Sequence, residues 1–202
     1  MTLTEFACMG VQRFLREFGQ RHQNSALRKR HHRIVIAMHR IYLVGFMGAG
    51  KSTVGRELSL MLHCPFVDLD AEIEKTEGIS VREIFSRFGE ARFRQIERDH
   101  LKRISETSPA IVALGGGAYI DPQNRKIVDE SGVAVWLDAS FSTIRDRIRP
   151  DGTRPLLADL EQARRLYAER LPSYKSAKLH IQTNNRLPDA IAQEIVERIN
   201  TL

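Results

Sequence analysis

One stretch of nine residues, Gly45-Phe46-Met47-Gly48-Ala49-Gly50-Lys51-Ser52-Thr53, carries the strongest chemical signal in the chain. It follows an apolar run at 41–44 and precedes a helical pattern at 54–62. That is the strand–loop–helix setting in which G-x-x-x-x-G-K-[ST] cradles phosphate. Glycines let the backbone curl so that successive N–H groups converge on phosphate oxygens. The helix behind them adds its positive N-terminal end. Gly48, Ala49, Gly50 and Thr53 are then cradle positions. Lys51 can reach the β- and γ-phosphates, and the Ser52 hydroxyl can ligate the Mg²⁺ that accompanies ATP. The chemistry in prospect is phosphoryl transfer, so the remaining polar motifs are read for an acceptor.

Asp68-Leu69-Asp70 closes a short apolar stretch. On an extended chain, residues two apart point the same way. Both carboxylates could then face one crevice, one assisting Mg²⁺ and the other holding or deprotonating an acceptor hydroxyl. The alternative for Asp70 is an ordinary helix cap. Arg94 lies four residues after Glu90 and three before Glu97. This spacing suits two surface ion pairs and equally a guanidinium offered to a substrate carboxylate, and spacing alone leaves both open. Gly115-Gly116-Gly117 costs more ordering entropy than a simple turn requires, so it reads as backbone approached by a ligand. Arg154, stiffened by Pro155, is the best candidate for a lid cation over the transferring phosphoryl. Arg170 closes a helical pattern, where a cation also suits the helix dipole.

Alternation of short apolar strands with helices positions these groups. Strands are expected at 41–44, 66–68, 110–114, 133–137 and 179–182. Helices are expected at 54–62, 70–77, 80–88, 90–105, 121–131, 140–149, 160–170 and 188–199. This pattern implies an α/β, three-layer sandwich with a five-stranded parallel sheet. Right-handed crossovers bring every strand's C-terminal end to one edge. Residues 45–53, Asp68, Asp70, the glycine triplet and Asp138 all lie at such ends.

Composition bounds the rest. No apolar run approaches the ~20 residues of a membrane span. Cys8 and Cys64 have no metal spacing and suit a reducing compartment. Of 31 Lys and Arg against 25 Asp and Glu, eight basic and two acidic residues lie in the first 40. The excess charge is therefore confined to the N-terminal segment, and the basic pI gives no reason for the body to bind nucleic acid. Residues 1–39 read as a basic extension, poorly ordered or lying upstream of a start at Met38. Residues 40–202 read as the folded domain.

Taken together, the ordered set resembles the shikimate kinase family over residues 40–202. The stretches that carry it are 48–53, Asp68-x-Asp70, Phe88-Gly89-Glu90-Ala91-Arg92-Phe93-Arg94, 115–117, Arg154-Pro155-Leu156 and Arg170-x-x-x-Tyr174. The resemblance implies a P-loop fold of the nucleoside monophosphate kinase type. It implies ATP-dependent phosphorylation of the 3-hydroxyl of shikimate, in aromatic amino-acid biosynthesis, by a cytoplasmic monomer without membrane or nucleic-acid partners. By that likeness Ser52 ligates Mg²⁺ with Asp68 assisting, and Asp70 binds the shikimate hydroxyls and acts as base. Arg94 and Arg170 take the shikimate carboxylate, with Gly116 and Gly117 lining the site. Lys51 and Arg154 stabilise the phosphoryl group, and Arg186 belongs to the adenine side, where Arg147 and Arg149 stay open. Two departures stand out: residues 1–39 have no counterpart in the usual enzyme, and Gln182 stands where an acid is commoner. The competing readings are a gluconate or nucleotide kinase of the same architecture, and a ligand sensor tethered to a basic DNA-binding arm.

Overall fold

The computed structural model describes residues 40–147 and 160–202. The extension at 1–39, and the segment containing Arg149 and Arg154, lie outside the described residues. Strand β1 (Arg40–Val44) is central. It pairs in parallel with β3 (Ile111–Ala113) on one side and β4 (Gly132–Asp138) on the other. The edges are β2 (Phe66–Asp68) and β5 (Leu179–Gln182), giving the order β2-β3-β1-β4-β5. Ile41, Tyr42, Leu43 and Val44 are all buried. A continuous apolar run of this kind marks a strand covered on both faces. Edge strand β5 instead alternates, with Leu179 and Ile181 buried and His180 and Gln182 exposed.

Helix α1 (Lys51–Leu62) follows the phosphate loop, and α2 (Leu69–Glu77) follows β2 without a gap. The expected helices at 80–88 and 90–105 form one run, α3 (Val81–Ser105), broken at Gly89 with φ 78° and ψ 171°. Only glycine adopts that backbone readily. Ser80 and Glu83 start α3 with a reciprocal capping box. After a single 3₁₀ turn (Ala118–Ile120), α4 (Pro122–Ser131) begins with Asp121 accepting from the N–H groups of Gln123 and Asn124. Helix α5 (Phe141–Arg147) follows β4 in the chain, and α7 (Pro188–Ile199) packs on α1 and β5.

Two local expectations change. Asp70 is not on an extended chain but in the first turn of α2, with Asp68 as the extended N-cap residue. Helix α6 (Leu160–Lys175) does not end at Arg170 but continues through Pro172. Pro172 and Ala168, four residues earlier, are both exposed. Water can therefore serve the carbonyl that the missing N–H leaves unpaired. Among the described residues no helix is long and apolar enough to cross a membrane.

The start of β4 is tight. A Cβ on Gly132 would stand 2.4 Å from the Arg40 carbonyl oxygen and 2.9 Å from the Tyr42 ring. Backbone cannot yield there without disturbing the β1–β4 register, which pairs Arg40 with Gly132. Gly132→Ala is expected to cost about 1–3 kcal/mol of stability, measured as a lower denaturation midpoint in urea. An unchanged midpoint would show that this register has slack.

Candidate active site

The phosphate loop leaves β1 and turns back between β3 and β4. Gly45, Gly48 and Gly50 have φ of 138°, 76° and 100°. A Cβ on Gly45 would also stand 2.9 Å from the Leu137 carbonyl, so only glycine fits. Helix α1 has no acid in its first turn, so nothing there opposes an anion at its positive end. Lys51 Nζ donates to the carbonyls of Gly45 at 2.8 Å and Phe46 at 3.0 Å, which holds the ammonium over the loop. Ser52 Oγ donates to Asp68 Oδ2 at 2.6 Å, joining α1 to the end of β2. Arg147, from α5, donates to the Ala49 carbonyl at 3.3 Å and to Thr183. It ties the loop to the segment after β5.

Beside this cradle lies a second cluster centred on the glycine triplet. A Cβ on Gly115 would stand 2.8 Å from Asp70 Oδ1 and 3.2 Å from Glu97 Oε1. On Gly116 it would stand 3.3 Å from Arg170 Nη1, and on Gly117 2.6 Å from Arg94 Nη2. Three consecutive glycines thus leave room for two acids and two arginines. Tyr174 donates its hydroxyl to the Gly116 carbonyl, pinning the triplet against α6. The Arg170 guanidinium lies over the Phe46 ring at 5.8 Å, a cation–π contact that steadies it.

Burial sets the electrostatics. The Asp70 carboxyl is held above the usual carboxylate range by desolvation and then by Asp68, with Lys51 and Arg94 acting against this. Glu97, 1% exposed, is pushed up to about 7, chiefly by desolvation, although Arg94 pairs with it at 2.9 Å. Burial also opposes the charge on Arg94, but Glu97 and Glu90 outweigh it and raise its pKa. Two acids that hold protons more tightly than usual therefore face two guanidinia, next to a phosphate loop.

Comparison with known proteins agrees with this geometry. The family model described as shikimate kinase matches residues 47–200. The chain belongs to the shikimate kinase family. A shikimate kinase of Sulfurihydrogenibium sp. is 40% identical over 163 residues, covering 80% of this chain and 98% of the relative. The structure of shikimate kinase from Acinetobacter baumannii in complex with shikimate superimposes with a TM-score of 0.79 at 34% identity. It covers 84% of this chain and 97% of that one. A gluconokinase from Sinorhizobium meliloti reaches a TM-score of 0.57 at 18% identity, a likeness of fold alone.

Lys51 and Ser52 lie at the phosphate loop with Asp68 beside them, and Asp70, Arg94 and Arg170 gather around Gly115, Gly116 and Gly117, where spacing alone had left Arg94 and Arg170 open. Arg186 is placed differently from the other arginines. It donates to the carbonyls of Gln182 and Ala190 and pairs with Glu194, fastening the post-β5 segment to α7. Arg94 does not make two surface pairs. Glu90 is exposed, but Glu97 is buried against Gly115 and Asn124. Arg170 is inside α6, so the helix-terminus reading of its charge falls away. Glu97 was not among the expected site residues. Its local signal, the spacing from Arg94, resembled a solvated pair.

Glu97 makes stability depend on pH in a definite direction. Its folded-state pKa of about 7 lies above the unfolded value near 4.5. The folded protein binds the extra proton, so this contribution is fully present below pH 4.5 and is lost as pH rises through 7. Glu97→Gln removes the effect. Its unfolding free energy relative to wild type is expected to rise between pH 5 and 8, by on the order of 2 kcal/mol. Urea denaturation across that range measures it, and a flat difference would mean that the carboxyl is ionised throughout.

Proposed function

We propose that the chain transfers the γ-phosphoryl of ATP to the 3-hydroxyl of shikimate, giving shikimate 3-phosphate and ADP. The observation that carries this reading is the pair of guanidinia, Arg94 and Arg170, set against the adjacent Gly117 and Gly116 with Asp70 beside Gly115. A compact ring with one carboxylate and several hydroxyls satisfies both halves of that cluster. Arg94 and Arg170 take the carboxylate, and the triplet lets the ring lie close to backbone.

Asp70 accepts hydrogen bonds from the acceptor hydroxyls and takes the proton of the 3-hydroxyl. That oxygen then bonds to γ-phosphorus as the bond to the ADP oxygen breaks. A carboxylate raised by burial is a better base than a solvated one, because its proton affinity lies nearer that of the developing alkoxide. Lys51 and the N–H groups at 48–53 hold the phosphates, and Lys51 and Arg154 stabilise the phosphoryl group. Magnesium fits the remaining donors: Ser52 Oγ and Asp68 Oδ2 are hard oxygens already 2.6 Å apart. Among the described residues no group of three or more His, Cys, Asp or Glu could hold a metal ion. Ser52 and Asp68 would thus share the ion with phosphate oxygens, and bound there it would offset their charge. The Thr183–Arg186 segment and Arg147 form the adenine side. We further assign residues 1–39 as an extension and 40–202 as the kinase domain. The enzyme acts as a cytoplasmic monomer without a nucleic-acid partner.

ADP release with shikimate, and with gluconate as a control acceptor, tests the assignment. Turnover on gluconate alone would overturn it. Asp70→Asn is expected to lower kcat by roughly 10²–10⁴-fold, with ATP binding changed by about twofold. Arg94→Ala is expected to raise KM for shikimate on the order of 100-fold, leaving KM for ATP nearly constant. Equal loss of affinity for both substrates would remove Arg94 from the acceptor site.

A further inference from the structure

Asn124 is fully buried in the first turn of α4, yet only half of its carboxamide is used. Nδ2 donates to Glu97 Oε2 at 3.4 Å, while Oδ1 has no partner among the described residues. Glu97 Oε2 already accepts from Arg94, so it is the amide nitrogen and not the amide oxygen that meets it. An orphaned buried carbonyl is a cost that an apolar residue of the same size would avoid. Stability therefore does not explain an amide here, and its one bond points toward the acceptor site.

That bond falls on the oxygen which also accepts from Arg94 Nη1 at 2.9 Å. Arg94 uses Nε and Nη2 on Glu90 Oε1, at 3.3 and 3.1 Å. Among the described residues these three bonds leave two of its five N–H groups for a ligand, and Nη1 and Nη2 are the atoms nearest Gly117. A carboxylate beside a guanidinium tends toward a bidentate pair. Glu97 does not form one. Its Oε2 is shared between Arg94 and Asn124, and its Oε1 is directed at Gly115, 3.2 Å from where a Cβ would stand. Helix α4 is held in register for this task by Asp121, which caps it and pairs with Arg98 of α3 at 2.6 Å.

We propose that Asn124 is a positioning residue for acceptor binding: by engaging Glu97 it keeps the Arg94 fork open toward Gly117. The inference rests on shikimate being the acceptor. Without the amide, Glu97 turns both oxygens to Arg94 and draws the guanidinium off the substrate carboxylate. The charged groups that face Glu97 are Arg94 on its own helix, Asp70 from α2, and Asp121 at the start of α4. Asp121 is already paired with Arg98.

Steady-state kinetics in wild type, Asn124→Leu and Asn124→Asp test this. Asn124→Leu is expected to raise KM for shikimate about tenfold, with kcat and KM for ATP within about twofold. Its melting temperature is expected to hold or rise, since the orphaned carbonyl is gone. A residue with only a structural role would lower the melting temperature instead. Asn124→Asp keeps the shape, but its ionised carboxyl repels Glu97, whereas its protonated form can still donate. Its excess KM over wild type should therefore grow from pH 6 to 8.5, and this pattern decides the matter should the leucine variant not fold. Unchanged KM for shikimate in Asn124→Leu, or a pH-independent ratio in Asn124→Asp, overturns the proposal. Absence of shikimate turnover by wild type would instead overturn the substrate assignment.

Discussion

Everything in this fold depends on β1 lying inside a parallel sheet with partners on both sides. Its backbone groups are committed to β3 and β4, so the chain leaving Val44 has no edge to escape along. It must turn at once, within a space where a Gly45 Cβ would meet the Leu137 carbonyl. The phosphate loop is the solution to that confinement. Its glycines meet a steric demand and in doing so expose a row of N–H donors. The same parallel arrangement sends β2 and β3 out on the same edge. Asp68 and Gly115 therefore lie beside the loop as a consequence of topology.

Charge is handled in opposite ways on the two sides of this crevice. On the phosphate side, positive character among the described residues comes from backbone dipoles, the Lys51 ammonium and the Arg147 guanidinium. On the acceptor side, three carboxyls, those of Asp68, Asp70 and Glu97, lie near one another with limited access to water. Desolvation chiefly, then the charge of Asp68 on Asp70 and of Asp70 on Glu97, raises the proton affinity of Asp70 and Glu97. Arg94 offsets part of that cost for both carboxyls. The stability lost to crowded acids is the cost that accompanies the proposed base and the proposed anion fork.

The sequence made the frame legible for a plain reason. Strand and helix periods are local, and so are glycine and capping signals. The strands at 66–68 and 179–182 and the helix at 188–199 stand where apolar periodicity places them. The acceptor side was less legible because its meaning is long-range. Glu97 at three residues from Arg94 is the spacing of any surface pair. Only contact with Gly115 and Asn124, from separate elements, turns it into a buried anchor. Asp70 reached the site by a different route from the one its spacing implied, through a helix turn and not an extended chain. Arg170 looked like a helix end, yet the helix runs on through Pro172, since an exposed proline can be carried inside a helix when water serves the freed carbonyl. Asn124 gave no signal at all, sitting in an ordinary capped first turn.

This contrast has a consequence for how such an enzyme can change. The phosphate cradle is written in one continuous segment, and its geometry is nearly complete once β1 and α1 are in place. The acceptor cluster draws on α2, α3, α4, α6 and the triplet after β3, so no single segment contains its specificity. Its precision resides in side-chain contacts that bridge helices: Arg98 to Asp121, Asn124 to Glu97, Tyr174 to the Gly116 carbonyl. Each of these contacts bears on the proposed acceptor site through other residues. A new acceptor would thus require coordinated change in several helices, while the nucleotide half could persist unaltered. Conserving the loop constrains the reaction type, and the interlocked helices constrain what is phosphorylated.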